Sequence, residues 1–157
     1  MSHVADRILA AVLNNLSGIP GIATVDIKPL DLLEEDQLPA VLIDEIDDEV
    51  QSGYLPGHFP VDTTRKLSFV VKVCLMAAAT DFKLLIGGLH ELVELALVGS
   101  ESAVSLNGLL TRGLMVHGGS LFSDSESLQQ PVGGWRIPVT CTYNLRSDQP
   151  GKTEKEL

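Results

Sequence analysis

Two long segments of alternating polarity limit the folds open to this chain. In residues 65–76 and 134–145, apolar side chains occupy every second position, which places them on one side of a β-strand. The apolar positions are Leu67, Phe69, Val71, Val73 and Leu75 in the first segment, and Trp135, Ile137, Val139, Cys141, Tyr143 and Leu145 in the second. Each segment therefore predicts a long strand with one buried face. Pro138 lacks an N–H group, so we expect it at a sheet edge or a bulge.

Two helices are predicted to cover this sheet. Residues 3–16 carry apolar side chains at spacings of three and four, with Ser2 as the expected N-cap. Residues 81–98 form the main helix, with Thr80 or Asp81 as the N-cap. Its narrow polar stripe consists of Lys83, Gly87, His90 and Glu94, with Glu91 beside it. The rest of its surface is apolar, so either the fold or a second subunit must cover it on more than one side.

Shorter strands are predicted at residues 22–28, 40–43 and 111–122, and residues 100–110 form a polar connection. The element order α-β-β-β-α-β-β gives an α+β fold class. We expect a mostly antiparallel sheet of about four to five strands with the two main helices packed on it. The chain has 157 residues, which is the length of one domain. Residues 1–146 form that domain, and 147–157 form a polar C-terminal tail that we expect to fray.

Negative charge is concentrated in one part of the sequence. The chain has 21 acids and 11 bases, a net charge of −10, and residues 31–50 hold nine acids and no base. Such a balance disfavours binding to nucleic acid or to an anionic membrane. We expect a long connection from Asp44 to Thr63, since turn residues are frequent there. Five acids of this segment are expected to form a solvated face, and the alternatives are a wall that repels DNA or an attachment surface for a basic partner: Asp44, Glu45, Asp47, Asp48 and Glu49.

The sequence predicts no catalytic, cofactor or metal site from composition and spacing alone. The four histidines lack ligand spacing, and the segment from His90 to Glu94 lacks the second histidine of a zinc protease helix. The acidic segment does not fit a calcium-binding loop. Cys74 and Cys141 form no Cys-x-x-Cys pair. No targeting segment or membrane span is visible, so we expect a soluble protein made in the cytoplasm with reduced thiols.

One short segment suggests an enzyme. Gly57-His58-Phe59-Pro60 resembles the loop of hot-dog-fold hydroxyacyl-carrier-protein dehydratases, in which the histidine acts on the substrate. The resemblance implies a catalytic role for His58. In that family the loop leads into a long helix that bears an acid, whereas a strand is predicted after Pro60 here. The dehydratase is therefore the alternative to a structural role, as is a generic homo-oligomeric adaptor.

The order of elements resembles the tail terminator, or tail completion, proteins of long-tailed bacteriophages. The resemblance covers residues 3–146 and is carried by four segments: Asp6-Arg-Ile-Leu-Ala-Ala-Val-Leu13, Pro39-Ala-Val-Leu-Ile43, Thr64-Arg-Lys-Leu-Ser-Phe-Val-Val-Lys-Val73 and Trp135-Arg-Ile-Pro-Val-Thr-Cys-Thr-Tyr143, with a helix of the type 81–97 between the last two. It implies a virion protein, assembled in the host cytoplasm, that forms a ring, typically a hexamer. The ring would cap the tail tube, end its polymerisation and join the head connector or neck protein.

The same resemblance guides the expected contacts. DNA would pass through the ring without specific binding. The acids of residues 44–49 would line the lumen and repel the DNA, or they would form an interface between copies. Tyr54, Leu55 and Phe59, on the long loop, are expected to contact a neighbouring surface. Three basic residues are expected to meet the acidic segment of the next copy: Arg65, Lys66 and Lys72.

Overall fold

The computed structural model describes residues 3–53, 60–76, 82–124, 132–153 and 156. These residues form an α+β fold with three helices and a mixed sheet of six strands, which confirms the predicted fold class. The helices are α1 (Val4–Leu16), α2 (Phe82–Val98) and α3 (Glu101–Ser105). The strands are β1 (Thr24–Ile27), β2 (Ala40–Ser52), β3 (Asp62–Met76), β4 (Arg112–Val116), β5 (Ser120–Asp124) and β6 (Val132–Arg146).

The two alternating segments form the centre of the sheet. The strand order is β1-β2-β3-β6-β4, and β5 also pairs with β6. Strands β3 and β6 run antiparallel over 15 residues each, from the pair Asp62 and Arg146 to the pair Met76 and Val132. The β1–β2 pair is parallel, so the sheet is mixed and departs at this edge from the antiparallel pairing predicted for most of it. The long central pair gives the sheet its length, and the shorter strands lie outside it.

The strand predicted for residues 111–122 is interrupted. It divides into β4 and β5 around Gly118, whose φ of 84° few other residues adopt. The interruption lies beside Pro138 of β6, whose carbonyl accepts a hydrogen bond from the His117 N–H at 2.9 Å. The N–H and C=O groups of one strand residue point to the same side of the strand. The Pro138 carbonyl points toward the break between β4 and β5, so the N–H that proline lacks would point there too. Pro138 therefore lies in a central strand, at a point where the outer strand is broken.

Helices α1 and α2 pack on one face of the sheet. Their buried side chains, such as Ile8 and Val93, join Val71 and Ile137 in the main core. Helix α1 begins at Val4, one residue later than predicted, and its N-cap is His3, whose Nδ1 accepts a hydrogen bond from the Ala5 N–H at 3.0 Å. The short helix α3 occupies the region predicted as a polar connection.

The opposite face of the sheet is covered at one end. Two 3₁₀ turns, Leu30–Leu32 and Glu35–Gln37, precede β2 and bring Leu30 and Leu33 onto this face. There they pack with Leu42 and Cys74, so β3 is not solvated along its whole outer face. Burial raises the pKa of the Cys74 thiol to about 12, which keeps this thiol protonated and unreactive at neutral pH.

The C-terminal segment contacts the start of α1. The Val4 N–H donates to the Pro150 carbonyl at 2.9 Å, and Arg7 donates to the Gly151 carbonyl at 2.9 Å. Arg7 also pairs with Glu156 at 2.7 Å. The described part of the tail is therefore held against the domain, and the expectation of fraying was wrong for residues 147–153.

Candidate interaction surfaces

The acidic segment is a strand and not the predicted loop. Strand β2 continues to Ser52 and β3 begins at Asp62, so most of the expected connection from Asp44 to Thr63 is sheet. A bulge between Asp44 and Asp47 contains Glu45, at a φ of 52°. Asp and Glu have a poor propensity for strands. The strand persists here because β3 supplies hydrogen bonds to its backbone and cations beside its acids.

The outer half of β2 is an open edge of the sheet. Strand β1 pairs with β2 only from Ala40 to Ile43, so residues 44–52 have β3 on one side and no strand on the other within the described chain. An edge strand offers unpaired N–H and C=O groups to another chain. We call residues 44–52 the acidic edge.

Two acids of this edge lie in an ion cluster on the sheet face away from the helices. Asp44 accepts a hydrogen bond from the Lys72 Nζ at 3.1 Å. Glu45 receives two hydrogen bonds from the Arg136 guanidinium, at 2.9 and 3.2 Å, and lies 3.5 Å from Lys72. The bond from Arg136 is the main cause that holds the pKa of Glu45 below its usual range. These two carboxylates are therefore balanced by two cations of the same chain.

Asp48 lies on the helix face of the sheet. It accepts a hydrogen bond of 2.6 Å from the hydroxyl of Tyr143, which is fully buried, and lies 3.5 Å from the Arg65 guanidinium. Burial, followed by the bond to Asp48, raises the pKa of Tyr143. The hydrogen bond from Tyr143 to Asp48 therefore links the acidic edge to the central strand β6.

These contacts show where the predicted site residues lie. Arg65 and Lys72 do meet acids of residues 44–49, but the acids belong to the same chain. Within the described region, Lys66, Asp47 and Glu49 form no ion pair. Their contacts with a neighbouring copy remain predictions. The loop residues Tyr54, Leu55, His58 and Phe59 lie outside the described residues.

Helix α2 exposes leucines on the side away from the sheet. The exposed fractions are 78% for Leu84, 43% for Leu85, 37% for Leu92 and 57% for Leu95. We call these four residues the leucine face. The sequence shows that α2 is apolar nearly all round, but it does not distinguish these leucines, because periodicity alone does not show which side of the helix meets the sheet.

The predicted polar stripe of α2 is partly turned inward. His90 stacks on Trp135 of β6 with ring centroids 4.6 Å apart, and its Nε2 lies 2.9 Å from Glu94. The sheet therefore covers part of the polar stripe, while leucines face solvent.

Chemical sites are not apparent in the part of the chain that the structure describes. That part contains no group of three or more His, Cys, Asp or Glu side chains placed to hold a metal ion. None of its helices combines the length and the apolar character needed to cross a membrane. Comparison with protein-family models and with curated proteins finds no match. The leucine face and the acidic edge are the surfaces with the clearest capacity to bind a partner.

Proposed function

We propose that this protein is a structural, non-enzymatic phage protein of the tail terminator type. Copies of the chain form a ring, with six as the expected number, that caps the tail tube and joins the head connector. The observation that carries the proposal is the leucine face of α2. It lies opposite the buried Ile86, Val93 and Leu97, so the helix has apolar surface on both sides, of which the described residues cover only one.

The energetics of the leucine face favour association. Full burial of one leucine side chain is worth about 1.5–3 kcal/mol. Leu84, Leu92 and Leu95 are eight and three residues apart and lie along one side of the helix, so a flat partner can bury them together. Lost freedom on association opposes this gain by at least about 4 kcal/mol, so several leucines must contribute. A second copy of this chain is the partner that a ring requires.

The charge distribution is consistent with a ring through which DNA passes. Asp44 and Glu45 are balanced by Lys72 and Arg136, while Asp47 and Glu49 remain without ion pairs in the described region. The net charge of the whole chain is −10. A surface of this kind does not hold phosphates, because phosphate binding requires clustered cations. DNA can therefore slide past this protein without being bound.

The proposal can be tested by replacing two residues of the leucine face. We expect the wild-type protein to form rings with a central hole by negative-stain electron microscopy and a discrete oligomer by mass photometry. The Leu84→Gln, Leu95→Gln double variant should remain monomeric, while its urea unfolding midpoint stays close to that of the wild type. Both side chains are largely exposed in the single chain, so their replacement costs the monomer little.

A matched control uses polar residues of the same helix. The Lys83→Gln, Glu91→Gln variant changes two exposed side chains and should assemble like the wild type. A wild-type protein that stays monomeric at all concentrations, or rings that persist in the leucine variant, would contradict the proposal. The dehydratase alternative depends on His58, outside the described residues.

A further inference from the structure

Two of the open sheet edges in the described chain differ in chemical character. One is the acidic edge, residues 44–52 of β2. The other is β4, which pairs with β6 on one side and has no strand on its outer side within the described chain. Strand β4 reads Arg-Gly-Leu-Met-Val and contains no acid. Neither edge has a further strand to pair its outward backbone N–H and C=O groups within the described chain, although Gly113 of β4 lies against Val104 of the short helix α3.

A single row of side chains links the two edges. Glu49 pairs with Lys66, Lys66 pairs with Thr142, and Thr142 pairs with Arg112 in the strand register. Residues paired in this way lie side by side on one face of a sheet. The row therefore begins with an acid at one edge and ends with a base at the other. Neither Glu49 nor Arg112 forms an ion pair within the described region.

We propose that β4 of one copy pairs with the acidic edge of the next copy, so that one sheet continues from subunit to subunit. The proposal rests on the proposed ring and adds a second contact between its subunits to the one made by the leucine face. Strands β2, β3, β6 and β4 alternate in direction, so β2 and β4 run antiparallel. A second copy that continues the sheet in the same orientation pairs them antiparallel and places Arg112 beside Glu49 of its neighbour.

The charges favour this arrangement over pairing between identical edges. Two acidic edges side by side would bring Asp47, Asp48 and Glu49 close to the same residues of the other copy, and facing like charges destabilise a sheet. Contact between two different edges is head-to-tail, and repeated head-to-tail contacts close into a ring when the rotation allows it. Contact between two copies of the same edge would stop at a dimer.

Disulfide trapping of the full-length protein tests the proposed register. In the Glu49→Cys, Arg112→Cys double variant, the two positions of one chain are three strand spacings apart, about 14 Å. A disulfide needs Cα atoms within about 7 Å, so these cysteines cannot bridge inside one chain. Mild oxidation should give a ladder of covalent oligomers on a denaturing gel, up to the size of the ring. The native Cys74 and Cys141 are buried and do not compete.

The control moves one cysteine by a single residue. Val50 is 49% exposed and next to Glu49, but a strand turns successive side chains to opposite faces. The Val50→Cys, Arg112→Cys variant should therefore cross-link at least ten times more slowly. Equal ladders from both variants, or rings without a ladder from the first, would overturn the edge pairing and leave the ring intact. Monomers from both variants and the wild type would overturn the ring as well.

Discussion

A single hydroxyl connects the acidic edge to the core. The Tyr143 hydroxyl donates to Asp48 at 2.6 Å from a fully buried ring. A hydrogen bond to a charged group contributes about 1.5–3 kcal/mol. Because Arg65 and water still solvate Asp48 in the Tyr143→Phe variant, we expect this variant to lose about 1–2 kcal/mol of unfolding free energy at pH 8, measured by urea denaturation. A loss below about 0.3 kcal/mol would show that the bond contributes little.

The dependence of this effect on pH separates the hydroxyl from packing. The pKa of Tyr143 is raised in the folded protein, whereas an unfolded tyrosine ionises near pH 10. Below about pH 10 the hydroxyl is neutral in both states and its contribution is complete. Above about pH 10 the unfolded chain releases its proton first, so the wild type loses stability. The difference between the wild type and Tyr143→Phe should therefore shrink with increasing pH, and a constant difference would contradict this assignment.

At the level of elements, one substitution has opposite effects in a strand and in a helix. Gly134 of β6 lies against the Val73 carbonyl and the Phe122 ring, so an added Cβ would collide with backbone. Gly87 of α2 has open space around its Cα. We expect Gly134→Ala to lower the unfolding free energy by about 1–3 kcal/mol. Gly87→Ala should raise it by about 0.5–1 kcal/mol, since alanine favours helix. Thermal unfolding of both variants measures this, and shifts of the same sign would contradict it.

Elements differ in how well the sequence predicts them. Strands β3 and β6 were predicted because apolar residues alternate along them. The alternating residues form the face that the helices cover, and the other face is covered only at the end near Cys74. The extension of β2 beyond Ile43 was missed because five acids in six residues are typical of a loop. Three of those acids, Asp44, Glu45 and Asp48, are stabilised in the strand by Lys72, Arg136 and Tyr143, which are at least 28 positions away in the sequence. A local pattern carries no information about such partners.

At the level of the whole molecule, the two surfaces have different physical requirements. The leucine face associates through apolar burial, which salt screens little. The row from Glu49 to Arg112 ends in opposite charges whose attraction depends on ionic strength. The sequence indicated that α2 needs a further cover and that the negative charge is local. It did not reveal the row, because the row exists only once β2, β3, β6 and β4 are aligned in register.

The response of assembly to salt should therefore change sign when Arg112 is reversed. In the wild type, raising sodium chloride from about 0.05 M to about 0.5 M screens the attraction between Arg112 and Glu49, and we expect the dissociation constant of the ring contact to rise about threefold. In the Arg112→Glu variant two carboxylates meet, so the same salt should relieve repulsion and lower the dissociation constant. Sedimentation velocity across this salt range measures the dissociation constants of the wild type and of Arg112→Glu. The Glu49→Arg, Arg112→Glu double variant restores opposite charges at the contact and should regain the wild-type response. An equal response in the wild type and the single variant would place Arg112 away from the contact, since only an interfacial charge can reverse the sign.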